Sequence, residues 1–386
     1  MDLKKESIEL HKLLKGKIEI KPRVKIKNSQ DLSLAYTPGV AFACLEIKDA
    51  PEKSYLYTRR HNMVAVITDG TAVLGLGDIG PLAGMPVMEG KCLLFKTFAG
   101  VDAFPLSIKS KNVDEIVRTI YLLSDSFGGI NLEDISAPRC FEIENKLKEI
   151  CDIPIFHDDQ HGTAIVVSAA LLNALKIVDK KIEDVSIVIN GAGAAGISIA
   201  KFIHSLGARY ITLCDRDGIL TSGNAKNSVQ ASLAQKLNSH NKSGLLKDAF
   251  VNSDVFIGVS GPHCVTKDMV RSMADKSIVF PLSNPTPEIS REDALDAGAT
   301  VVGTGSSSYP NQINNVLAFP GIFRGTLDAK AKEITNEMMV SACYAIASAV
   351  PSEKLSPDYI IPYAFDKKVH KLVAQAVKRT SKASKK

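Results

Sequence analysis

The sequence predicts an α/β protein with two domains, of which the second is a doubly wound parallel sheet. The length of 386 residues suggests two or three domains of ordinary size. From residue 184 onwards, short apolar runs alternate with helical segments, which is typical of a parallel sheet with crossover helices. The first of these apolar runs leads directly into a glycine-rich loop. Together these observations predict a smaller α/β domain followed by the doubly wound one.

The first domain combines short apolar runs with frequent glycine and proline. Its pattern predicts a basic amphipathic helix that ends at Gly16, and then a short extended piece over residues 17–21. A buried strand over 63–68, a helix over 113–124 and a last strand over 154–156 are also predicted. After Gly162, a helix over 164–178 has Thr163 as its expected cap. We place the domain boundary near 155–162, with the domains covering residues 1–157 and 158–386.

In the second domain, predicted strands alternate with predicted helices. The pattern predicts strands over 185–190, 210–215, 255–258 and 277–280, and a helix over 197–206. Each of the two later strands ends in a loop rich in Gly, Ser, Pro or Asn. We expect the helical C-terminus, from about Asp328, to pack onto this second domain.

Composition and charge exclude several classes of protein. A chain with 45% hydrophobic and 23% charged residues is not collagen-like, mucin-like or wholly disordered. The net charge of +5 is a mild excess, and part of it lies in the acid-free end over 378–386, which we interpret as a solvated, frayed terminus. That tail has no aromatic residue for base stacking, so nucleic-acid binding is not expected.

The cysteines and the apolar runs predict a cytoplasmic protein. The seven cysteines are odd in number and never spaced as C-x-x-C, which indicates buried thiols in a reducing compartment. The N-terminus leads into no apolar signal region, and the most apolar stretch, 164–178, is too short to span a bilayer. We therefore expect no membrane partner.

A glycine-rich loop predicts a dinucleotide site of the Rossmann type. Its residues are Gly191, Ala192, Gly193, Ala194, Ala195 and Gly196, between a predicted strand and a predicted helix. The first glycine allows a tight turn, the second a close approach to the pyrophosphate, and the third close packing of helix and strand. Asp215 ends the next strand, where an acid binds the adenine ribose and favours NAD. Arg216 beside it would instead suit the 2′-phosphate of NADP, so the preference stays open.

Two pairs of acids are candidate metal ligands. Glu133-Asp134 is one pair, and Asp158-Asp159 follows the strand that ends at Phe156. On spacing alone, solvated surface acids are the commoner explanation. Zinc is a second interpretation, because two histidines flank the second pair, at 157 and 161. We favour an oxygen-rich site for Mg²⁺ or Mn²⁺, since these histidines follow a strand end and do not share one helix.

Several segments, in one order along the chain, together resemble the malic enzyme family in its short microbial form. They lie at 34–40 (LAYTPGV), 68–70 (TDG), 74–78 (LGLGD), 89–91 (EGK), 98–105 (FAGVDAFP), 131–135 (NLEDI), 157–163 (HDDQHGT), 282–286 (LSNPT), 314–315 (NN) and 319–321 (FPG). The resemblance implies oxidation of L-malate with NAD(P), followed by decarboxylation to pyruvate and CO₂, with a divalent cation. It is far more specific than the glycine loop alone.

The resemblance also implies a role for individual residues. Tyr36 would be the general acid and Lys91 the general base in contact with substrate, with Asp158 orienting Lys91. The implied metal ligands are Glu133, Asp134 and Asp159. The implied substrate contacts are Asn284 and Asn315, and Asn284 also belongs to the cofactor site. An ordinary lysine is protonated at neutral pH, so we expect burial or the cation to depress the pKa of Lys91.

One departure and several alternatives accompany this interpretation. Larger family members carry a substrate-binding arginine in the Asp-Gly segment, where this chain has Thr71-Ala72. The resemblance further implies a homodimer or a dimer of dimers, with Tyr36 and Lys91 placed opposite the other chain's metal. The alternatives are a hydroxy-acid dehydrogenase that does not decarboxylate, and an inactive NAD-sensing binding protein.

Overall fold

Two β-sheets pack against helices in this computed structural model, which describes residues 2–73, 75–238 and 242–383. The first sheet is parallel throughout, and the second is parallel except at one edge strand. The predicted α/β fold with a doubly wound second sheet is confirmed. The predicted strand over 63–68 and helix over 113–124 match the structure to within one residue. The predicted boundary between residues 157 and 158 stays a prediction.

Elements are numbered in chain order. The strands are β1 Met63–Thr68, β2 Asp102–Ser107, β3 Gly129–Leu132, β4 Ile155–His157, β5 Ser186–Asn190, β6 Tyr210–Asp215, β7 Gly218–Ile219, β8 Val255–Gly258, β9 Ile278–Pro281 and β10 Val301–Val302. The helices are α1 Leu3–Leu14, α2 Ser29–Ala35, α3 Val40–Asp49, α4 Ser54–Tyr57, α5 Gly80–Ala99, α6 Val113–Leu123, α7 Arg139–Ile150, α8 Thr163–Val178, α9 Ala194–Ser205, α10 Ser228–Leu237, α11 Leu246–Phe250, α12 Lys267–Arg271, α13 Arg291–Asp296, α14 Phe319–Ala329, α15 Asn336–Ser348 and α16 Lys367–Ala383.

The first sheet brings acidic side chains to one edge. Its strand order is β2-β1-β3-β4, and all four strands run parallel. Leu132 at the end of β3 pairs with His157 at the end of β4. Glu133 and Asp158 come directly after these two residues, so both carboxylates lie at the carboxyl edge.

The second sheet has the order β10-β9-β8-β5-β6-β7, parallel except for β7. The order reverses at β5, which lies between β6 on one side and β8 on the other. In open α/β sheets, ligands bind at such a reversal, beyond the carboxyl ends of the strands. The predicted glycine-rich loop follows β5 at this point and opens α9.

The C-terminal helices pack onto helices beside both sheets, so the expectation that they pack onto the second domain covers only part of their contacts. Helix α15 lies against α8, but α14 and α16 lie against α5 of the first sheet. The ring of Phe95 in α5 meets those of Phe319 and Phe323 at 4.8 and 5.3 Å. His370 of α16 stacks on Phe98 at 4.4 Å. Burial of these rings joins the two halves of the chain into one apolar core.

Helix α8 is longer than the sequence predicts, because a π-helical turn over Asp158–Gly162 runs directly into it. Thr163 is consequently the first residue of α8 and not its cap; Gly162 precedes it. The continuous segment Asp158–Val178 is long and apolar enough to cross a membrane, which corrects the expectation that it is too short. The protein interior buries 72% of its most apolar window, as in the core helix of a globular protein.

The two ends of the chain differ in packing. Helices α1 to α4 have no buried residue, and residues 17–21 form no strand. At the other end, α16 continues to Ala383, and Ser381 in its last turn is buried. The prediction of a frayed terminus from residue 378 is therefore wrong up to residue 383, and residues 384–386 lie outside the described residues.

Candidate active site

Three carboxylates from two neighbouring strand ends meet at the edge of the first sheet. Glu133 and Asp134 follow β3 directly, and Asp159 lies in the π-helical turn after β4. One oxygen from each lies within 4.8 Å of the others. Asp159 Oδ2 also accepts a hydrogen bond from the Asp134 N–H at 2.8 Å, which ties the two loops together. Glu133 and Asp134 are buried, while the Asp159 side chain is 32% exposed.

The electrostatics of this cluster fit a divalent cation. Burial raises the pKa of Glu133 to about 7, and repulsion from Asp159 adds to the rise although Lys91 opposes it. Burial likewise raises the pKa of Asp159 to about 6, with a contribution from Asp158. The raised pKa values show that the ionised carboxylates lack sufficient compensating positive charge. A hard cation such as Mg²⁺ or Mn²⁺ would supply that charge, since these ions bind sets of oxygen ligands like this one.

Lys91 lies beside the carboxylates and is almost fully buried. Its Nζ is 2.6 Å from Asp158 Oδ2 and 2.9 Å from Glu133 Oε1, and it sits 4.3 Å from the centre of the Phe319 ring. Burial alone would lower the pKa of Lys91, but the two carboxylates outweigh it and raise that pKa above its ordinary value. The expectation of a depressed pKa is therefore wrong for the chain without a bound cation. A cation on Glu133 would add the positive charge that opposes the carboxylates.

Asp158 links Lys91 to a distant asparagine. Besides the Lys91 contact, its Oδ2 accepts a hydrogen bond from Asn315 Nδ2 at 2.7 Å, and its buried Oδ1 has no hydrogen-bond partner among the described residues. Burial raises the pKa of Asp158 to about 7, although Lys91 lowers it. A side chain at Gly162 would meet this carboxylate, since a Cβ there would lie 1.8 Å from Oδ1. The structure therefore brings Lys91, Asp158 and Asn315 together.

The glycine-rich loop has the geometry that a dinucleotide site requires. Gly191 has a φ of +121°, which a side chain would strain. A Cβ on Gly196 would lie 1.7 Å from the Gly191 carbonyl oxygen, so helix α9 can approach the strand only without it. Nothing lies within 4 Å of a Cβ built on Gly193, which leaves that side of the loop open. Ala192, Ala194 and Ala195 lie between these glycines, with α9 beginning at Ala194.

The acid predicted to bind the adenine ribose has a cationic neighbour that sequence reasoning missed. Asp215 ends β6, and its Oδ2 lies 3.1 Å from Lys226 Nζ. Its Oδ1 accepts a hydrogen bond from the Arg216 N–H. The pKa of Asp215 is lowered, since these hydrogen bonds outweigh its partial burial. No short motif connects residues 215 and 226, so only the fold reveals this pair.

Comparison with known proteins identifies the chain. Family models match residues 15–148 (malic enzyme, N-terminal domain) and 160–382 (malic enzyme, NAD binding domain). A bifunctional malic/malolactic enzyme of Bacillus subtilis is 55% identical over 99% of this chain and 93% of its own. The chain belongs to the malic enzyme family. A NAD-dependent malic enzyme of Geobacillus stearothermophilus is 54% identical over 94% of this chain and 76% of its own.

Solved malic enzyme structures share the whole fold. The crystal structure of a NAD-dependent malic enzyme from Thermotoga maritima matches with a TM-score of 0.93 at 48% identity, over 96% of this chain and 98% of that one. A malic enzyme from Pyrococcus horikoshii matches with a TM-score of 0.94 at 44% identity, over 99% and 91%. The predicted family, its NAD or NADP cofactor and its divalent cation are thus confirmed at the level of the family. The roles of individual residues stay predictions.

Tyr36 is not brought to this malic enzyme site within the chain. It follows α2 and is 65% exposed, and its hydroxyl makes no hydrogen bond to any residue described. Lys91, by contrast, contacts Glu133 of its own chain, so the expectation that it lies opposite another chain's metal is wrong. The buried face of α5 places Lys91 inside, whereas nothing in the described chain covers α2.

Asn284 lies in the loop after β9. A Cβ on Gly75 would lie 2.5 Å from the Asn284 carbonyl oxygen, so a loop of the first sheet closes onto it. Its own Nδ2 reaches only the Leu282 carbonyl, at 3.3 Å. Asn284 is exposed beyond the carboxyl end of β9.

The two histidines of the zinc interpretation are separated. His161 Nε2 contacts both oxygens of Glu144, at 2.8 and 3.0 Å. The pKa of Glu144 is held below its usual range, because the positive charges of His161 and Lys148 outweigh the effect of burial. His157 is fully buried at the end of β4, and burial lowers its pKa to about 4. Within the described residues, the candidate metal cluster contains neither histidine.

An arginine that sequence reasoning missed holds the segment where the family's substrate arginine is absent. Arg139 Nη1 donates to Asp69 Oδ2 at 2.7 Å, and its Nη2 donates to Thr71 Oγ1 at 2.9 Å. Ala72 N–H donates to the Asp134 carbonyl at 3.0 Å, so the same segment lies against the metal cluster. Arg139 is thus hydrogen-bonded within the protein itself, to the segment that contains Thr71.

Proposed function

We propose that the chain oxidises L-malate to pyruvate and CO₂ while reducing NAD, with Mn²⁺ or Mg²⁺. The observation that carries this proposal is the buried contact of Lys91 with Asp158 and Glu133, beside the three-carboxylate cluster. An amine for proton transfer and ligands for a cation thereby lie side by side, which oxidation of a hydroxy acid followed by decarboxylation requires.

The residues of the cluster would divide the work. A divalent cation held by Glu133, Asp134 and Asp159 would polarise the substrate hydroxyl and stabilise the negative charge that develops as CO₂ leaves. Lys91 in its neutral form takes the proton of the C2 hydroxyl while hydride passes from C2 to the nicotinamide. Asp158 holds the Lys91 Nζ in place.

Two further residues would contact the substrate. Asn315 Nδ2 donates a hydrogen bond to Asp158 Oδ2, the oxygen that also contacts Lys91. Asn284 lies in the loop after β9 of the second sheet. Tyr36 gives a proton to C3 after CO₂ has left from C4, so no net proton is consumed. Malate and NAD⁺ are thereby converted to pyruvate, CO₂ and NADH.

NAD is the preferred cofactor in this proposal. The lowered pKa of Asp215 keeps its carboxylate ionised, and an ionised acid at this place binds the ribose hydroxyls and repels a 2′-phosphate. Lys226 and Arg216 offset part of that repulsion. Kd values for NADH and NADPH, measured by fluorescence, test the preference; tighter binding of NADPH would contradict it.

A second copy of the chain would complete the active site. The N-terminal helices α1 to α3 expose large apolar side chains, among them Leu13, Leu34 and Phe42, each at least 70% exposed. Such a surface is stable in water when it packs on a partner. We therefore propose a homodimer, or a dimer of dimers, in which Tyr36 enters the site of the other subunit.

Mixing two inactive variants tests this arrangement. Tyr36→Phe and Lys91→Ala chains, unfolded and refolded together, form mixed dimers in which one site has both residues intact. If Tyr36 enters the site of the other subunit, about half of the dimers are mixed and each has one intact site of two. We therefore expect about a quarter of the wild-type activity. No recovery, with mixed dimers demonstrated, would place Tyr36 and Lys91 of the same chain in one site.

The reaction itself is tested with purified protein, L-malate, Mn²⁺ and NAD or NADP. Pyruvate, CO₂ and reduced cofactor are expected in equal amounts, and Lys91→Ala should abolish turnover while NADH still binds. Oxaloacetate that accumulates without CO₂ would support the non-decarboxylating dehydrogenase instead. Tight NAD binding with no turnover would support the binding protein.

Lactate is a second product to measure, because the Bacillus subtilis relative is named a bifunctional malic/malolactic enzyme. Reduction of bound pyruvate by the NADH just formed would give lactate and regenerate NAD⁺.

We expect the protein in the cytoplasm, with no nucleic acid or membrane among its partners.

A further inference from the structure

A buried carboxylate, Glu288, lies beneath the loops that follow strands β8 and β9. None of its side chain is exposed to solvent. It forms no ion pair in the part of the chain that the structure describes. A buried carboxylate without a cation is costly unless hydrogen bonds satisfy it. The partners of Glu288 therefore show what the charge stabilises.

Its partners are two serines, one from each loop. Glu288 Oε1 accepts from the Ser260 N–H at 2.9 Å and from the Ser283 hydroxyl at 2.6 Å. Oε2 accepts from the Ser283 N–H at 3.1 Å, and the Ser260 hydroxyl lies 3.4 Å from Oε1. One carboxylate thus fixes the backbone of both loops.

The network reaches the glycine-rich loop as well. The Ser260 hydroxyl accepts a hydrogen bond from Asn190 Nδ2 at 2.8 Å, and Asn190 is the residue before Gly191. Gly258, at the end of β8, leaves room for the carboxyl group, since a Cβ there would lie 2.4 Å from Glu288 Cδ. Three strand ends, those of β5, β8 and β9, are therefore joined through one acid.

The sheet order assigns these strand ends to one half of the cofactor. The adenine half belongs with β6 and Asp215, on one side of β5, and the nicotinamide half belongs with β8 and β9 on the other. Asn284 directly follows Ser283, one of the two serines that Glu288 holds. Loss of the carboxylate would release both loops on the nicotinamide side and leave the adenine side unchanged.

We propose that Glu288 is a positioning residue of the dinucleotide site, which holds the loops of Ser260 and Ser283 in the arrangement that binds the nicotinamide half. It touches no cofactor itself. The proposal rests on the proposed function only through the cofactor, so it is tested by binding and not by turnover. NADH binding by the wild-type protein without pyruvate formation would refute the proposed function and leave this inference intact.

The test compares Glu288→Gln with Glu292→Gln, an exposed acid on the following helix. Glutamine keeps the shape but turns an N–H₂ towards N–H donors. We expect its Kd for NADH, measured by fluorescence, to rise at least tenfold. Its Kd for ADP, which carries the adenosine and the diphosphate but no nicotinamide riboside, should stay within about twofold of wild type. Glu292→Gln should change neither value.

Ser283→Ala provides a second variant if Glu288→Gln does not fold. It removes one hydroxyl donor to Glu288 and should weaken NADH binding several-fold, again without a change for ADP. When both variants fold, the double mutant should lose less than the two single effects combined, because both act through one contact. An unchanged Kd for NADH, or equal losses for NADH and ADP, would overturn the proposal, since a purely structural role weakens both ligands alike.

Discussion

Replacement of Gly162 by alanine should disable the Lys91 site while leaving the local helix intact. The backbone there has a φ of −60° and a ψ of −46°, which alanine adopts more readily than glycine. A Cβ would, however, lie 1.8 Å from Asp158 Oδ1 and 2.9 Å from its Cγ. The Asp158 side chain must therefore move, while the helix itself gains propensity.

The required movement sets the size of the effect. To reach an ordinary contact of 3.4 Å, Asp158 Oδ1 must retreat by about 1.6 Å. Its other oxygen holds Lys91 Nζ at 2.6 Å and Asn315 Nδ2 at 2.7 Å, and a shift of this size breaks both contacts. Misplacement of a catalytic group by about 1 Å costs roughly 100-fold in rate, or about 2.7 kcal/mol of activation free energy.

Steady-state kinetics with malate, Mn²⁺ and NAD measure this effect. We expect kcat for Gly162→Ala to fall by roughly 100-fold, with the Kd for NADH close to wild type. The Tm should fall as well, because the buried Asp158 carboxylate loses its contacts with Lys91 and Asn315. Gly90→Ala is the matched control, because it adjoins Lys91 in α5 and a Cβ there has nothing within 4 Å. A Gly162→Ala enzyme with kcat within about threefold of wild type would refute the argument that Asp158 positions Lys91.

Further predictions concern the cofactor, the metal and the core. Gly196→Ala should abolish NADH binding and lower the Tm, because its Cβ would lie 1.7 Å from the Gly191 carbonyl oxygen. Gly193→Ala should weaken NADH binding while its Tm stays at the wild-type value. Equal Tm values for the two variants would contradict this difference. Mn²⁺ at about 100 times its Kd should stabilise the wild-type fold by about 2.7 kcal/mol and so raise its Tm, and Asp159→Asn should lose most of that rise. Phe323→Ala should lower the free energy of unfolding by about 3–5 kcal/mol in urea titrations, and a loss below about 1 kcal/mol would show that the two halves of the core are independent. Burial lowers the pKa of His370, so the unfolded chain binds its proton first and stability should fall as the pH drops below about 6.5; a His370→Phe variant should lose this part of the dependence.

Local patterns predicted much of the fold and the residue types of the site. The strand, glycine loop and helix around Gly191 and Gly196 follow from the needs of a tight turn and close packing, which adjacent residues supply. The carboxylates Glu133 and Asp159 were predictable as neighbours because each follows a parallel strand, and such strands end at one edge. In both cases the determining contacts are short in sequence or are imposed by the sheet.

Other features depend on residues far apart in the chain. Nothing near Glu288 in the sequence indicates that Ser260, 28 positions earlier, will donate to it. Lys226 beside Asp215 escaped prediction for the same reason. The C-terminal helices were assigned to one domain, yet Phe323 packs on Phe95 because apolar burial is indifferent to domain boundaries.

By itself, the sequence determined the two sheets, the dinucleotide loop, the acids of the metal cluster and the family to which they belong. Only the tertiary structure decided the charge on Lys91, since its pKa is the balance of burial against Asp158, which lies 67 positions away. It also decided that Tyr36 stays outside the site of its own chain. The physical reason is the same in both cases: helix and strand propensity and turn chemistry are local, whereas electrostatic energy and burial depend on distances that folding alone sets.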